Sequence, residues 1–435
     1  MSDPDDVVIQ PRMEGGTNLA KVRTNLRKVP REVETLQVIF LTGSLRVGGT
    51  ERNILHLATR LDPKRFSVEV WSDYEGEPIQ LELRARGIAC RSLKGAPSLG
   101  EPFLKRLFLR NLPYQWRLWR MLRARRSAVI HAFGFPMAYY AVILGRLAGC
   151  RRVVYSVQDW DLWKRSGVYS LLDRVISRLA ALAIADGEGA RRLASIRQGM
   201  DPRQIVTIYD GVNTQELRPR RAPQELRREL GLGPDGLTIG MIARLDIAKK
   251  GQDVFLRAIA RIGGMDKIKG DTILFPAENS IMSPIYAIYA IIGDGPDRAE
   301  IERLCAELPP ELRPAMPGFR SDLGEVLNAL DVLVIPSRWE SVPKILLEAM
   351  WLSRPVIAAR VGDIAEILDD GCGVLVPPGD AQALAEAMTR LANDSALRAR
   401  LGAAAHQRIV SRRLTLEDSI QQYDQIYSSL RESAG

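Results

Sequence analysis

Residues 336–366, PSRWESVPKILLEAMWLSRPVIAARVGDIAE, set Glu340 and Glu348 eight positions apart across a strand-to-helix junction. The apolar run Val332-Leu333-Val334-Ile335 reads as a buried parallel strand, which Pro336 and Ser337 end. The 3.6-residue spacing of Ile345, Leu346, Ala349 and Met350 reads as the helix that follows. Glu340 then lies in the loop at the strand's carboxyl end, the edge at which open α/β sheets bind ligands, beside the free N–H groups of a new helix that suit a phosphate. Glu348, about two turns further on, returns to the same face. A ligand bearing both phosphate and hydroxyl groups, such as a sugar nucleotide, fits two carboxylates beside an anion site. A solvated helix face with one loop acid fits the spacing equally well.

The rest of the chain bounds the possibilities. A length of 435 residues exceeds what one core usually supports, so two domains are expected. Cys90, Cys150, Cys305 and Cys372 are scattered without C-x-x-C spacing, which argues for a reducing compartment and against a structural zinc or a disulfide framework. Only His56, His131 and His406 are present, so a three-histidine metal site would need all of them. The start MSDPDDVVIQ lacks the pattern of a signal peptide, and no apolar run reaches the ~18 residues of a membrane span. A cytoplasmic location is therefore expected.

Residues 1–34 are polar and aperiodic and read as a disordered tail. Strand and helix patterns then alternate: a strand over 36–41, the glycine-bearing loop 42–51, a helix over 52–61, strands over 67–71 and 128–131, a helix over 137–148, and strands over 152–157, 181–184 and 205–209. After a linker at 218–223 the alternation restarts with a strand over 238–242 and a helix over 251–262, then a strand ending at Ile292 and the turn Gly293-Asp294-Gly295-Pro296. Such βαβ order implies doubly wound parallel sheets.

Arg244 and Lys250, in ARLDIAKKGQD between a strand and a helix, are placed to meet a diphosphate, although two solvated surface cations would read the same. Gly48 and Gly49 allow backbone to approach a phosphate closely. The stretch 103–126, FLKRLFLRNLPYQWRLWRMLRARR, joins eight cations to Phe103, Phe108, Trp116 and Trp119. That is the composition of an interfacial basic segment, and equally of surface helices with one core-facing side. With the net charge of +9 it suggests an anionic membrane surface rather than nucleic acid. Asp159-Trp160-Asp161 is a chance-prone D-x-D tripeptide.

These features together resemble the superfamily of retaining, nucleotide-sugar-dependent glycosyltransferases of the GT-B fold, which includes glycogen synthases and bacterial α-mannosyltransferases. The family signature places E-x7-E in "PS..EG.P..LLEAM..G.PV.A...GG..E"; R-L-x(3–4)-K-G ends here at Lys250-Gly251, and G-G-x-E matches Gly48 to Glu51. The resemblance implies two Rossmann-like domains with a cleft between them: 35–217 on the acceptor side, 218–413 binding the nucleotide sugar, and a helix in 414–435 crossing back. It implies that Glu340 contacts hydroxyls of the transferred sugar and Glu348 the nucleotide ribose. Arg244 and Lys250 would stabilise the leaving diphosphate, with Val342 and Lys344 offering backbone N–H groups. His131 would reach the sugar from the place of the family's H-x-H, of which the second histidine is here Phe133; a strand-end core histidine is the alternative. Glu51 would cap its own helix or approach the acceptor. The implied reaction needs no metal cofactor, uses a nucleotide-diphosphate sugar as co-substrate, and delivers the sugar to a glycan or lipid-linked acceptor in cell-surface polysaccharide or glycolipid synthesis, on the inner membrane face. Alternatives are a soluble acceptor, epimerisation of a sugar nucleotide, or a catalytically silent membrane-binding scaffold. Residues 263–290, where the family has a short turn, depart from this pattern.

Overall fold

The apolar runs form parallel strands covered on both faces, because the intervening chain returns each time as a helix. The computed structural model describes residues 35–94, 112–157, 167–233, 236–264, 267–269, 272–274, 287–368 and 371–432. The tail 1–34, the Asp159-Trp160-Asp161 tripeptide and residues 95–111 lie outside them. In the first half, β1 (Leu36–Thr42), β2 (Phe66–Ser72), β3 (Ala89–Ser92), β4 (Val129–Phe133), β5 (Val153–Val157), β6 (Leu182–Ala185) and β7 (Ile205–Thr207) pair in the order β3-β2-β1-β4-β5-β6-β7. The second half contains β8 (Leu237–Ile242), β9 (Lys267–Lys269), β10 (Thr272–Leu274), β11 (Ala287–Ile292), β12 (Ala315–Gly318), β13 (Val332–Ile335), β14 (Val356–Ala359) and β15 (Val374–Val376). Six of these form a sheet in the order β12-β11-β8-β13-β14-β15, while β9 and β10 make a separate antiparallel pair inside the segment that departs from the family pattern. Pairing within both large sheets is parallel throughout. The edge strands β3 and β12 are only partly buried along their length, which is why no apolar run marks them in the sequence.

Strand order reverses between β1 and β4 in the first sheet and between β8 and β13 in the second. Loops leaving adjacent strands there diverge to opposite faces and open a crevice, so the loops after β8 and β13 are the places for ligand-binding residues. Ile239 and Gly240 of β8 register against Val332 and Leu333 of β13, bringing those two loops side by side.

The last helix, Leu416–Glu432, follows a bridge in which Leu416 N donates to Val212 O (2.9 Å) and Val212 N to Leu414 O (2.9 Å). This pairing delays the helix by two residues relative to its apolar pattern. The helix buries Tyr423 and Tyr427 among Val38, Phe40, Leu57 and Phe66 of the first half. There Tyr427 meets His131, whose Nδ1 lies 2.7 Å from the tyrosine hydroxyl and whose Nε2 lies 2.9 Å from Ser156 Oγ. His131 is fully buried, and burial pushes its imidazole down to about 3. The expectation that His131 reaches a sugar is therefore corrected: with both nitrogens bonded inside the core, it joins β4 to β5 and to the last helix.

Tyr427→Phe should leave one buried imidazole nitrogen unpaired and destabilise the protein by about 1–3 kcal/mol. Urea unfolding at neutral pH measures this, and an unchanged midpoint would show that the hydroxyl contributes nothing.

Candidate functional site at the carboxyl edges of the two sheets

The site is built from the loop after β8. Gln252, fully buried, donates from Nε2 to Arg244 O (2.9 Å), and Asp297 Oδ2 accepts from Ile247 N (2.7 Å). The turn at Gly293 closes against the same loop: its φ is +143°, and a Cβ there would lie 1.9 Å from Ala243 O. Gly251, with φ +72°, likewise leaves no room, since a Cβ would stand 2.3 Å from Pro336 O. The two glycines thus let three loops touch by backbone. Arg338 completes the join, donating to Asp253 (2.9 and 2.7 Å) and to Ile247 O (2.7 Å) while its own N–H reaches Lys249 O (2.8 Å).

At this junction Lys250 Nζ and Glu340 Oε1 form an ion pair, and Ser337 Oγ donates to the same carboxylate oxygen at 3.0 Å. Glu340 is buried and Lys250 mostly so. Arg244 stands exposed at the start of the loop and forms no ion pair among the described residues. A lysine ammonium has three donors, so one contact to Glu340 leaves others for an anion.

The helix after β13, Lys344–Trp351, starts at Pro343 and carries Glu348 on its second turn. Glu348 is half-buried, and burial raises its carboxyl to about 7 against the pull of Lys344 and Arg52, with Glu216 adding to the rise. Lys344 crosses to the first half, donating to Gly49 O (3.0 Å) and pairing with Asp210 (3.2 Å), which also accepts from Asn53 Nδ2 (2.6 Å). Gly48 caps the helix Gly49–Arg60, and the Glu51 carboxylate folds back over it. Burial raises the Glu51 carboxyl, and a hydrogen bond to its own backbone N–H opposes the rise. This is the helix-capping alternative for Glu51.

Loops from the carboxyl ends of both sheets therefore meet, in one compact unit spanning Thr35–Gly435. Lys250 and Glu340 touch; Gly49 and Lys344 touch; Val342 packs toward Gly187; His131 takes no part. Sequence reasoning missed Ser337, Arg338, Ser341, Asp186 and Asp363. The last three make contacts between the halves: Ser341 Oγ donates to Asp186 Oδ1 at 2.8 Å, and Asp363 accepts from Gly189 N. A signal for two of them existed, since Ser341 and Asp363 stand where the quoted family pattern has glycine. Among the described residues, no three His, Cys, Asp or Glu side chains gather as a metal would require.

This architecture, two parallel α/β sheets facing each other across a cleft, is the GT-B fold. The chain belongs to the Glycosyl transferases group 1 family, which its residues 236–394 match, while residues 47–216 match Glycosyltransferase Family 4. It is 31% identical over 416 residues to a D-inositol 3-phosphate glycosyltransferase of Streptomyces bingchenggensis, covering 87% of this chain and 86% of that protein. It is 24% identical over 288 residues to the UDP-Gal:alpha-D-GlcNAc-diphosphoundecaprenol alpha-1,3-galactosyltransferase of Escherichia coli, covering 64% of this chain and 70% of the relative. Among solved structures, Anabaena HepE in complex with UDP superposes with a TM-score of 0.74 at 23% identity, over 91% of this chain and all of HepE. The protein is thus a glycosyltransferase.

A carboxyl whose folded value lies near 7 binds a proton that the unfolded chain has released by pH 4.5. Its charge therefore opposes folding progressively as pH rises from 4.5 to 7 and fully above 7. Glu348→Gln should stabilise the protein at pH 8 by at least about 1 kcal/mol, the linkage of one pKa unit, and leave it unchanged near pH 4. Thermal unfolding at the two pH values decides; equal effects at both would refute the raised carboxyl.

Proposed function

We propose that the chain is a retaining glycosyltransferase that moves a sugar from a nucleotide-diphosphate donor to a lipid-linked glycan acceptor in cell-surface polysaccharide or glycolipid synthesis. The observation that carries this reading is the Lys250–Glu340 pair, held with Ser337 at the switch point of the second sheet. Lys250 and exposed Arg244 supply the positive charge that a departing diphosphate needs, and charge developing on the leaving oxygen strengthens both contacts as the bond breaks. Glu340, fixed by its two partners, presents its remaining lone pairs to hydroxyls of the transferred sugar. Glu348 accepts from the ribose, which suits a carboxyl that gains donors only when ligand is bound. The backbone N–H groups of Val342 and Lys344 reach the phosphate side, whereas the Lys344 side chain is already committed to Gly49 and Asp210. Leaving and attack on one face of the sugar require no side-chain nucleophile, and two side-chain cations take the place of a metal in stabilising the leaving group. UDP is the favoured nucleotide, since HepE, one structural neighbour, is known in complex with UDP and with UDP-glucose.

Glu340→Gln, Lys250→Met and Arg244→Ala should each lower donor turnover about a hundredfold with the fold retained, the usual loss for one such contact. A chelator should leave the rate within about twofold, against the several kcal/mol that a Lewis acid would supply. Radiolabelled UDP-sugar transfer measures both, and parent rates in all three variants would reject the site.

The lipid-linked acceptor is supported by the helix Leu112–Arg123. Its inner side buries Tyr114, Leu118 and Leu122, while Leu112, Trp116, Arg120 and Arg123 are exposed, with Arg120 stacked over Trp116 at 4.6 Å. Arg117 is excluded from that outer face because it donates to Lys94 O. No helix among the described residues is long and apolar enough to cross a membrane. The contact in this reading is peripheral, on the cytoplasmic face. A soluble phosphorylated acceptor is the second reading, favoured by the name of the Streptomyces relative.

Each cation near an anionic surface contributes roughly 1 kcal/mol. The protein should cosediment with vesicles containing anionic lipid but not with neutral ones, and Arg120, Arg123 and Arg126 replaced together by Gln should release most of it. Binding should fade toward molar salt, where the Debye length is about 3 Å. Equal sedimentation with both vesicle types would favour the soluble acceptor.

A further inference from the structure

The first half answers the Glu340 loop with a single turn. After β6 the chain runs Asp186-Gly187-Glu188-Gly189-Ala190 into the helix Glu188–Gln198, whose first N–H groups have no partner within the helix. Two prongs from the second half enter it. Ser341 Oγ donates to Asp186 Oδ1 at 2.8 Å, and Asp363 accepts the Gly189 N–H on Oδ1. Asp363 is 1% exposed, and its second oxygen, Oδ2, has no partner. That oxygen lies over Gly187, where a Cβ would stand 2.2 Å from it and 3.1 Å from Val342 Cγ2. Gly187 has φ −164°, which any residue adopts, so glycine is needed there for space alone. Arg192 and Glu366 pair at the rim (3.2 Å).

The prongs are mechanically tied to the site. Asp363 N donates to Ser341 O (3.3 Å), and a Cβ on Gly362 would lie 1.9 Å from Glu340 O. Displacing Asp363 therefore displaces the backbone that carries Glu340. We propose that Ser341 and Asp363 are a clasp that closes the two halves, and that Asp363 is a positioning residue which sets Glu340 against the donor as the cleft shuts. The positioning role rests on the donor-site reading above; the clasp does not. A cleft held shut also keeps water from the activated sugar, so a broken clasp favours hydrolysis over transfer.

The test places spin labels at Ile196→Cys and Val410→Cys, both exposed and one on each half, in a Cys90→Ser background. Asp363→Ala should lengthen and broaden the distance distribution. Its kcat should fall roughly five- to tenfold, the factor expected for loss of one helix cap, with a smaller change in donor KM. The hydrolysed share of UDP-sugar should rise. Asp363→Asn, whose amide oxygen still accepts from Gly189, should restore all three. Gly187→Ala should imitate Asp363→Ala by wedging the halves apart, and combining the two should leave the distance at least as long as in Asp363→Ala alone, because the clasp is then absent as well. A parent-like distance in Asp363→Ala would overturn the clasp. A changed distance with parent kcat and parent hydrolysis would overturn the positioning role. If the parent moved no sugar at all, the donor reading would fail while the label distances still judged the clasp.

Discussion

The ion pair between Lys250 and Glu340 joins the two loops that leave the second sheet where its strand order reverses, and the site's geometry follows from that junction. As a source of stability the pair is a poor bargain, because removing two charges from water offsets much of their attraction. Its value lies in register. Ser337 and the Arg338–Asp253 fork fix the loop after β13 to the start of the helix Gln252–Ile262, so one carboxylate and one ammonium face the same point without ligand to arrange them. Pre-set charge of this kind needs no reorganisation when negative charge develops beside it.

The cleft accepts other unfavourable terms for the same reason. Burial lifts the Asp363 carboxyl to about 6 and that of Glu348 to about 7, with Glu188 and Glu366 adding to the first and Glu216 to the second. Among the described residues neither carboxyl is balanced by a formal ion pair; Asp363 lies against the opposite half, and on the proposed function Glu348 faces the ribose. Oriented N–H groups or ligand hydroxyls can supply there what water no longer does.

How much of this was legible beforehand depends on whether a feature is local. Strand β13, its loop and the helix behind it announce themselves through period and punctuation, and the Gly293 turn and the Lys250-Gly251 loop do likewise. For His131 a sugar contact and a core role stood open, because a strand-end histidine carries no mark of which way its ring points; only Tyr427, 296 residues away, and Ser156 reveal the core role. Arg117 was counted with its neighbours on a basic face, but the carbonyl of Lys94 turns it aside. β3 and β12 had no apolar run to declare them. Ser341 and Asp363 could be noticed as departures from glycine, yet their meaning rests on Asp186 and Gly189, which no pattern within either segment mentions.

That distinction also explains why the reaction class is easier to read than the acceptor. On the proposed function the donor side is assembled from one sheet's adjacent loops, so its residues fall within short, ordered stretches of sequence. The acceptor would lie toward the first half, where the loops after β1 and β6 meet the second half, so on the same reading its place depends on the interface. Relatives of similar fold carry names that specify acceptors as different as an inositol phosphate and a diphosphoundecaprenol-linked sugar. On the proposed function, a fold that holds its donor by the local backbone of one sheet and its acceptor at the interface between halves can change the second while the loops after β8 and β13 keep their Lys250–Glu340 junction.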